Sequence, residues 1–232
     1  MIKNNKGGVG KSWITFNLGH GLSIIGSSVL IITSDSQNNV LDFALGNTEH
    51  GKGLEDWVQK GDGDIIALRD NLHYIPLENN NFSPQFREKL KKRILDLKFK
   101  YDYILIDSVP VLMVDKEFEQ VANKILIPIY LDNVSIKGTV KIIDSIIDKN
   151  KILGIIPNRF NRSKTEKECY NELKEILSGN KIKLFEPIQN LAFITELISK
   201  HKSIWESESV KLKNTPSIMK SVLEEILWQQ EK

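Results

Sequence analysis

Cysteine is almost missing from this chain, with Cys169 alone among 232 residues. One thiol cannot close an internal disulfide and is too little for a cysteine-held metal centre in one subunit, so Cys169 reads as a bystander. Histidine is scarce too, and His20, His50, His73 and His201 show no ligand spacing of the His-x-x-x-His kind, which argues against zinc or iron chemistry. No apolar run approaches the roughly 20 residues needed to span a bilayer, and the first motif begins too early for a secretory leader before it, so a cytoplasmic protein is expected. A large charge of one sign is lacking as well. The net charge of +2 is too weak to announce a nucleic-acid partner, and any such reading rests on local patches. Repeats, low-complexity tracts and dividing linkers are absent, and the length fits one large α/β domain over 1–232. Asn79-Asn80-Asn81 is the most loop-like stretch.

What is present begins with Asn5-Lys6-Gly7-Gly8-Val9-Gly10-Lys11-Ser12. Glycines at 7, 8 and 10 let the backbone turn with positive φ and bring successive N–H groups, including that of Val9, against phosphate oxygens, at the positive end of the helix that follows. Lys11 can reach the β- and γ-phosphates and the Ser12 hydroxyl can ligate Mg²⁺. The usual phosphate loop starts on glycine, where this chain has Asn5, and it has no need of a second lysine, which here is Lys6.

Apolar runs at Val29-Leu30-Ile31-Ile32, Tyr103-Ile104-Leu105-Ile106, Ile125-Leu126-Ile127-Pro128-Ile129 and Ile152-Leu153-Gly154-Ile155-Ile156 have the character of strands buried on both faces. Amphipathic segments alternate with them near 12–25, 83–98, 134–149 and 163–178, and further helices are expected around 189–199 and 216–230. Ser163-Lys164-Thr165-Glu166 forms a capping box. The alternation predicts a three-layer α/β/α sandwich on a mostly parallel sheet. The strand leading into the loop, Met1-Ile2-Lys3-Asn4, is shorter than the usual five or six residues. It reads as truncated, or the start as late.

Ligands of open α/β sheets sit at the carboxyl ends of strands. Asp107, directly after a run of four apolar residues, is placed to hold Mg²⁺ directly or through water. Asp35, after the Val29 run, can orient the attacking water or approach the metal, or simply cap a helix. Asn158, in Pro157-Asn158-Arg159, carries an amide able to read an adenine edge, or is a plain turn residue.

The motifs Lys6-Gly-Gly-Val-Gly-Lys-Ser12, Asp35-Ser-Gln-Asn-Asn39 and Tyr101-Asp-Tyr-Ile-Leu-Ile-Asp107 resemble the ParA/MinD family of deviant Walker ATPases, and their order and spacing match along most of the chain. Ile127-Pro128, Gly138, Pro157-Asn158-Arg159 and the stretch from Glu196-Leu197 through Lys202-Ser203-Ile204-Trp205-Glu206 resemble later signatures, and the chain is most similar to short, Soj-like partition ATPases without an N-terminal helix-turn-helix domain. The resemblance implies the P-loop NTPase fold of the SIMIBI class, ATP and Mg²⁺ as cofactors, weak ATPase activity, and a homodimer sandwiching two nucleotides. Lys6 would cross to the partner's phosphates, with Lys11, Asp35 and Asp107 completing the catalytic set and Gly7, Gly8, Val9, Gly10, Ser12, Trp13, Asn158 and Arg159 helping to hold the nucleotide. Departures stand out at Trp13, where the family has a hydroxyl residue, at Ser36, and at Ser108-Val109-Pro110 in place of Thr-Pro-Pro. Nitrogenase iron proteins share the superfamily but need two cysteines per subunit, and ligases of the dethiobiotin synthetase kind lack Lys6.

Two uses of such an ATP cycle are open. In the partition reading the ATP dimer holds nonspecific DNA, is nucleoid-associated, and is reset by a ParB-like partner. Its candidate DNA contacts are Arg159, Arg162, Lys164, Lys200, Lys202, Lys211 and Lys213, with a second basic run at Lys89-Leu90-Lys91-Lys92-Arg93, Lys98 and Lys100. The solvated-helix-face reading is equally available for both. In the membrane reading a MinD-like protein lies on lipid through its last helix. That helix carries Ile218, Met219, Val222, Leu223, Ile226 and Leu227 with Lys220, Glu224, Glu225, Glu231 and Lys232. Its net negative charge favours packing on the sheet over a membrane partner. A nucleotide-binding switch with little hydrolysis is a third reading, motivated by Trp13 and the short first strand.

Overall fold

The computed structural model describes residues 1–79, 82–108 and 114–229. Asn80, Asn81, Val109, Pro110, Glu231 and Lys232, used above, lie outside these described residues.

The expected apolar runs form strands β1 (Val29–Thr33), β4 (Tyr103–Asp107), β5 (Ile125–Ile129) and β6 (Ile152–Pro157). Two strands not foreseen, β2 (Ile66–Arg69) and β3 (Leu72–Ile75), make a hairpin through Asn71 at φ 58. The short β7 (Lys183–Leu184) adds to β6. Neighbours run β2-β3-β1-β4 in one group and β5-β6-β7 in the other, and β2 with β3 is the antiparallel pair. Ile2 joins the groups by bridging Asp107 on one side and Leu126 on the other, supported by Ile2 N–H to the Ile106 carbonyl at 2.9 Å and Lys3 N–H to the Leu126 carbonyl at 3.0 Å. The strand leading into the loop is thus present as a bridge at the centre of a mostly parallel sheet. A cavity of about 410 Å³ adjoins it at the far end of the sheet from the loop, bordered by Met1, Ile104, Leu153 and Ile226.

Alternation along the strands sorts the core into two layers. Leu30 and Ile32 join the side covered by α3 (Leu54–Lys60), α4 (Pro84–Leu97), α5 (Val114–Val121), α6 (Asn133–Ser145) and α7 (Lys164–Leu177). Val29 and Ile31 join the side covered by α1 (Lys11–Ile24), α2 (Asn39–Leu45), α8 (Ala192–Ser199) and α9 (Thr215–Trp228). The observed α6 stops four residues short of the expected span, since Ile146 adopts an extended conformation with ψ 118. The capping box at Ser163 and Glu166 forms as read.

α1 is buried nearly all round, from Trp13 to Ser23, because the sheet flanks it on one side and α9 on the other. Helix α9 buries Ile218, Met219, Val222 and Leu223 in this layer, so the face a lipid surface would require is already committed to the core. No helix among the described residues is long and apolar enough to cross a membrane.

Candidate nucleotide site

The loop leaves the sheet at its centre and turns directly into α1. Gly8 at φ 74 and Gly10 at φ 94 occupy the left-handed region. Gly10 is the N-cap of α1, and a Cβ there would stand 2.2 Å from Nδ2 of Asn158, so torsion and space both demand glycine. Without a capping side chain, the first N–H groups of α1 are left for an anion. The loop opens on a cleft of about 550 Å³ lined by Gly7, Gly8, Gly10, Lys11, Ser12, Trp13 and Asp35 on one side, and by Asn158, Arg159, Gln189, Asn190, Ile194 and Thr195 on the other. Val9 is buried beneath it.

The two loop lysines part company. Lys11 is buried, its ammonium donates to the Lys6 carbonyl at 3.1 Å, and burial lowers its pKa against the opposing pull of Asp107, Asp35 and Asp115. A triphosphate would relieve that desolvation. Lys6 turns away from the cleft. Its ammonium reaches Oδ2 of Asp132 and Oγ of Ser135, each at 2.9 Å, and lies 5.1 Å from the centre of the Tyr130 ring, with 40% of the side chain exposed.

Asp107 ends β4 with only 1% of its surface exposed. Burial raises its pKa to about 6, although the Ser12 hydroxyl, the Lys11 charge and Thr15 all act to lower it. Oδ1 accepts from Thr15 Oγ1 at a long 3.5 Å, while Oδ2 is buried with no partner. A buried, unpaired carboxylate oxygen near a serine hydroxyl suits a hard divalent cation, so Asp107 and Ser12 fit Mg²⁺. Among the described residues no three His, Cys, Asp or Glu side chains gather as a metal site, and Mg²⁺ in nucleotide sites characteristically uses few protein carboxylates with phosphate and water. Asp35 lines the cleft while its carboxylate accepts from Gln37 N–H at 3.0 Å and Asn39 Nδ2 at 3.2 Å. Its turn-forming role is therefore realised alongside its position at the site.

Asn158 lines the cleft. Its Nδ2 donates to the Val9 carbonyl at 2.9 Å and its Oδ1 accepts from Arg159 N–H at 2.9 Å, so the amide pins the phosphate loop. Arg159, at φ 55, sets its guanidinium 5.9 Å from the same Tyr130 ring. The loop carrying Arg159 and Arg162 meets the segment before α8 through the Phe160–Gln189 bridge and an Asn190–Asn161 hydrogen bond of 2.9 Å. Lys200 pairs with Glu196 at 2.6 Å, whose carboxylate also feels Lys211, and Lys213 donates to Gln189 at 3.3 Å. Glu196 thus links Lys200 with Lys211, and Gln189, which lines the cleft as Arg159 does, holds Lys213. The run on α4 belongs to the opposite layer, where Lys98 engages Asn123 at 3.2 Å and Arg93 the Val58 carbonyl at 3.3 Å.

Tyr130, Asp132 and Ser135 were missed by the sequence reading. They follow β5, and the strand-end rule that singled out Asp35, Asp107 and Asn158 finds them when applied to this fourth strand. The Tyr130 hydroxyl donates to the Gly8 carbonyl, and Asp132 caps α6 by accepting from Ser135 N–H at 2.7 Å.

A glycine loop at a helix N-terminus, a lysine beneath it and a buried carboxylate at the adjacent strand end define a phosphate-loop nucleotide-binding protein. The CobQ/CobB/MinD/ParA nucleotide binding domain matches residues 1–204, and the chain belongs to this ParA/MinD family. An uncharacterised protein of Methanocaldococcus jannaschii, MJECL24, is 32% identical over 208 residues, covering 75% of this chain and 78% of that one. The sporulation initiation inhibitor protein Soj of Bacillus subtilis is 28% identical over 167 residues, covering 62% of this chain and 63% of Soj. The chain therefore spans less than two thirds of Soj. In fold it is similar to a single-residue variant of Cyanothece McdA in complex with ATP, with a TM-score of 0.81, 21% identity and coverage of 97% of this chain and 94% of that one. It is likewise similar to a plasmid partition protein of Borrelia burgdorferi bound to AMPPNP, with a TM-score of 0.78, 21% identity and coverage of 98% and 97%.

Proposed function

We propose that this protein is a weakly active, Mg²⁺-dependent ATPase that dimerises around two ATP molecules, holds nonspecific DNA in that state, and positions plasmid or chromosome cargo until a ParB-like partner triggers hydrolysis. The observation that carries this reading is the divergence of the loop lysines. Lys11 lies under the phosphate site, whereas Lys6 lies at its outer edge, where a second protomer can be met. Nucleotide and dimerisation then form one linked equilibrium, because only ATP offers Lys6 of a partner a γ-phosphate.

The chemistry assigned to the chain is mainly positioning and charge neutralisation. Gly7, Gly8, Val9 and Gly10 present backbone N–H groups, Lys11 neutralises phosphate, and Trp13 forms part of the wall. Ser12 and Asp107 would hold Mg²⁺, which supplies Lewis acidity at the phosphates when bound. Asp35 is placed to orient water. The region of Arg159, Arg162, Lys200, Lys202, Lys211 and Lys213 is the surface we assign to DNA, and nucleoid association follows from it. The buried face of α9 weighs against the membrane reading.

Co-sedimentation with random duplex DNA and, separately, with anionic liposomes, each with ATP, ADP or no nucleotide, tests the reading. ATP-dependent, salt-sensitive capture by DNA is expected. Capture by liposomes alone, or by neither surface despite ATP-dependent dimerisation, would sink the partition assignment.

A further inference from the structure

A lysine sits where a central strand position calls for an apolar residue. Lys3 is 7% exposed, its backbone is tied into the sheet, and its side chain crosses to α5, where it pairs with Asp115 and with Glu119, the latter at 2.8 Å. Lysines are rarely buried this deeply unless paired. Burial alone would lower the pKa of the ammonium, but the hydrogen bonds and charges of Asp115 and Glu119 outweigh it and carry the pKa above the ordinary value. Asp115 and Glu119 stand four residues apart on one helical face, and without a cation between them they repel.

The contact does not end at α5. The second oxygen of Asp115 accepts from the Ser108 hydroxyl, and Ser108 N–H donates to the Ile2 carbonyl at 3.2 Å. Ser108 is thus held from two directions by residues 2 and 3, one contact through the backbone and one through Asp115. Its predecessor is Asp107, whose own carbonyl is fixed by Ser34 N–H at 3.1 Å.

We infer that Lys3 is a positioning residue for Asp107: it fixes Asp115, Asp115 fixes the Ser108 hydroxyl, and that corner sets where the Asp107 carboxylate meets the metal ion of a bound nucleotide. The inference rests on the Mg²⁺–nucleotide reading of the site. Neither Lys3 nor Asp115 lines the nucleotide cleft. Loss of the ammonium leaves two partly buried carboxylates facing each other, loosens the first turn of α5, and frees Ser108.

The test compares wild type, Lys3→Met, Lys3→Arg and Ser108→Ala in two measurements. The first is amide exchange at Ser108 in the nucleotide-free protein, which does not depend on what the site binds. The second is the affinity for a fluorescent ATP analogue with Mg²⁺ and with EDTA, whose ratio isolates the metal contribution. Lys3→Met is expected to lose protection at Ser108 and to cut the Mg²⁺-dependent gain by about tenfold, the scale for groups behind a metal ligand, with Mg²⁺-free affinity unchanged. Lys3→Arg keeps most of both. Ser108→Ala leaves the Lys3–Asp115 pair intact, reproduces the affinity loss, and carries the test if Lys3→Met does not fold. An unchanged Mg²⁺ gain in Ser108→Ala, or loss of the gain in Lys3→Arg equal to that in Lys3→Met, overturns the inference. A wild-type protein that gains nothing from Mg²⁺ overturns the nucleotide reading and this inference with it, whereas a normal wild-type gain with no response to the variants overturns the inference alone.

Discussion

Replacing Asp107 by asparagine is expected to make the empty protein more stable while removing its response to Mg²⁺. The carboxyl is buried, with a pKa near 6 set chiefly by desolvation, against 3.8 for the same group in an unfolded chain. The sign follows from proton linkage. Between pH 4 and 6 the unfolded state has released this proton and the folded state retains it, so folding weakens as pH rises through that window, by about 1.4 kcal/mol per pH unit. The accumulated penalty is about 3 kcal/mol and persists above pH 6. Asparagine carries no such charge but brings an amide N–H₂ to the position of the unpaired Oδ2, at a cost of about 1–2 kcal/mol for an unsatisfied donor. The variant is therefore expected to exceed wild type by about 1–2 kcal/mol at pH 7.5, with that advantage absent or reversed at pH 4. Urea unfolding of both proteins without nucleotide, followed by circular dichroism at a series of pH values, measures the difference directly, and titratable groups common to both cancel. A stability gap that does not change between pH 4 and pH 7 would refute the desolvation argument. Added Mg²⁺ with ATP is expected to stabilise wild type and leave the variant nearly unmoved.

Lys11→Ala is expected to abolish nucleotide binding in calorimetric titration, because it removes the ammonium buried against the loop carbonyl of Lys6. Lys6→Ala is expected to bind nucleotide nearly as wild type yet stay monomeric with ATP in light scattering, and a normal ATP dimer in this variant would remove Lys6 from the interface. Asp132→Asn breaks a half-exposed ion pair, so its stability is expected to change by less than about 1 kcal/mol. Dimerisation at limiting ATP is nevertheless expected to rise in Asp132→Asn, since Lys6 no longer has a competing carboxylate, and an unchanged or weakened dimer would count against that competition. Gly10→Ala is expected to lose about 2 kcal/mol or more in thermal unfolding, from positive φ and from the clash with Asn158, and to lose the nucleotide site as well.

Strands buried on both faces announce themselves as unbroken apolar runs, which is why β1, β4, β5 and β6 were legible from the sequence. The hairpin of β2 and β3 was not, since Ile66-Ala67-Leu68-Arg69 and Leu72-His73-Tyr74-Ile75 are short and mix polar with apolar residues at an outer edge of the sheet. The seven-residue helices α2 and α3 are too brief to display a helical period. At the site, the turn at Gly8 and Gly10 and the strand-end position of Asp107 were readable because glycine torsions and a strand-end carboxylate leave local marks. The posture of Lys6 depends on Tyr130, Asp132 and Ser135, more than a hundred residues away, and local pattern does not encode such a pairing. Asn158 shows the converse limit, for its position was legible and its hydrogen-bond partner was not.

The bridge at Ile2 places an unusual demand on the molecule. Among the described residues, the backbone of residues 1–3 carries the ladder hydrogen bonds that stitch the strands of the first group to those of the second, and the same few residues run straight on into the phosphate loop. Whatever grips the loop therefore also tightens the seam. Occupancy at the rim is then expected to govern whether the two halves come apart together or one after the other, so that an empty molecule unzips in stages and a filled one yields all at once.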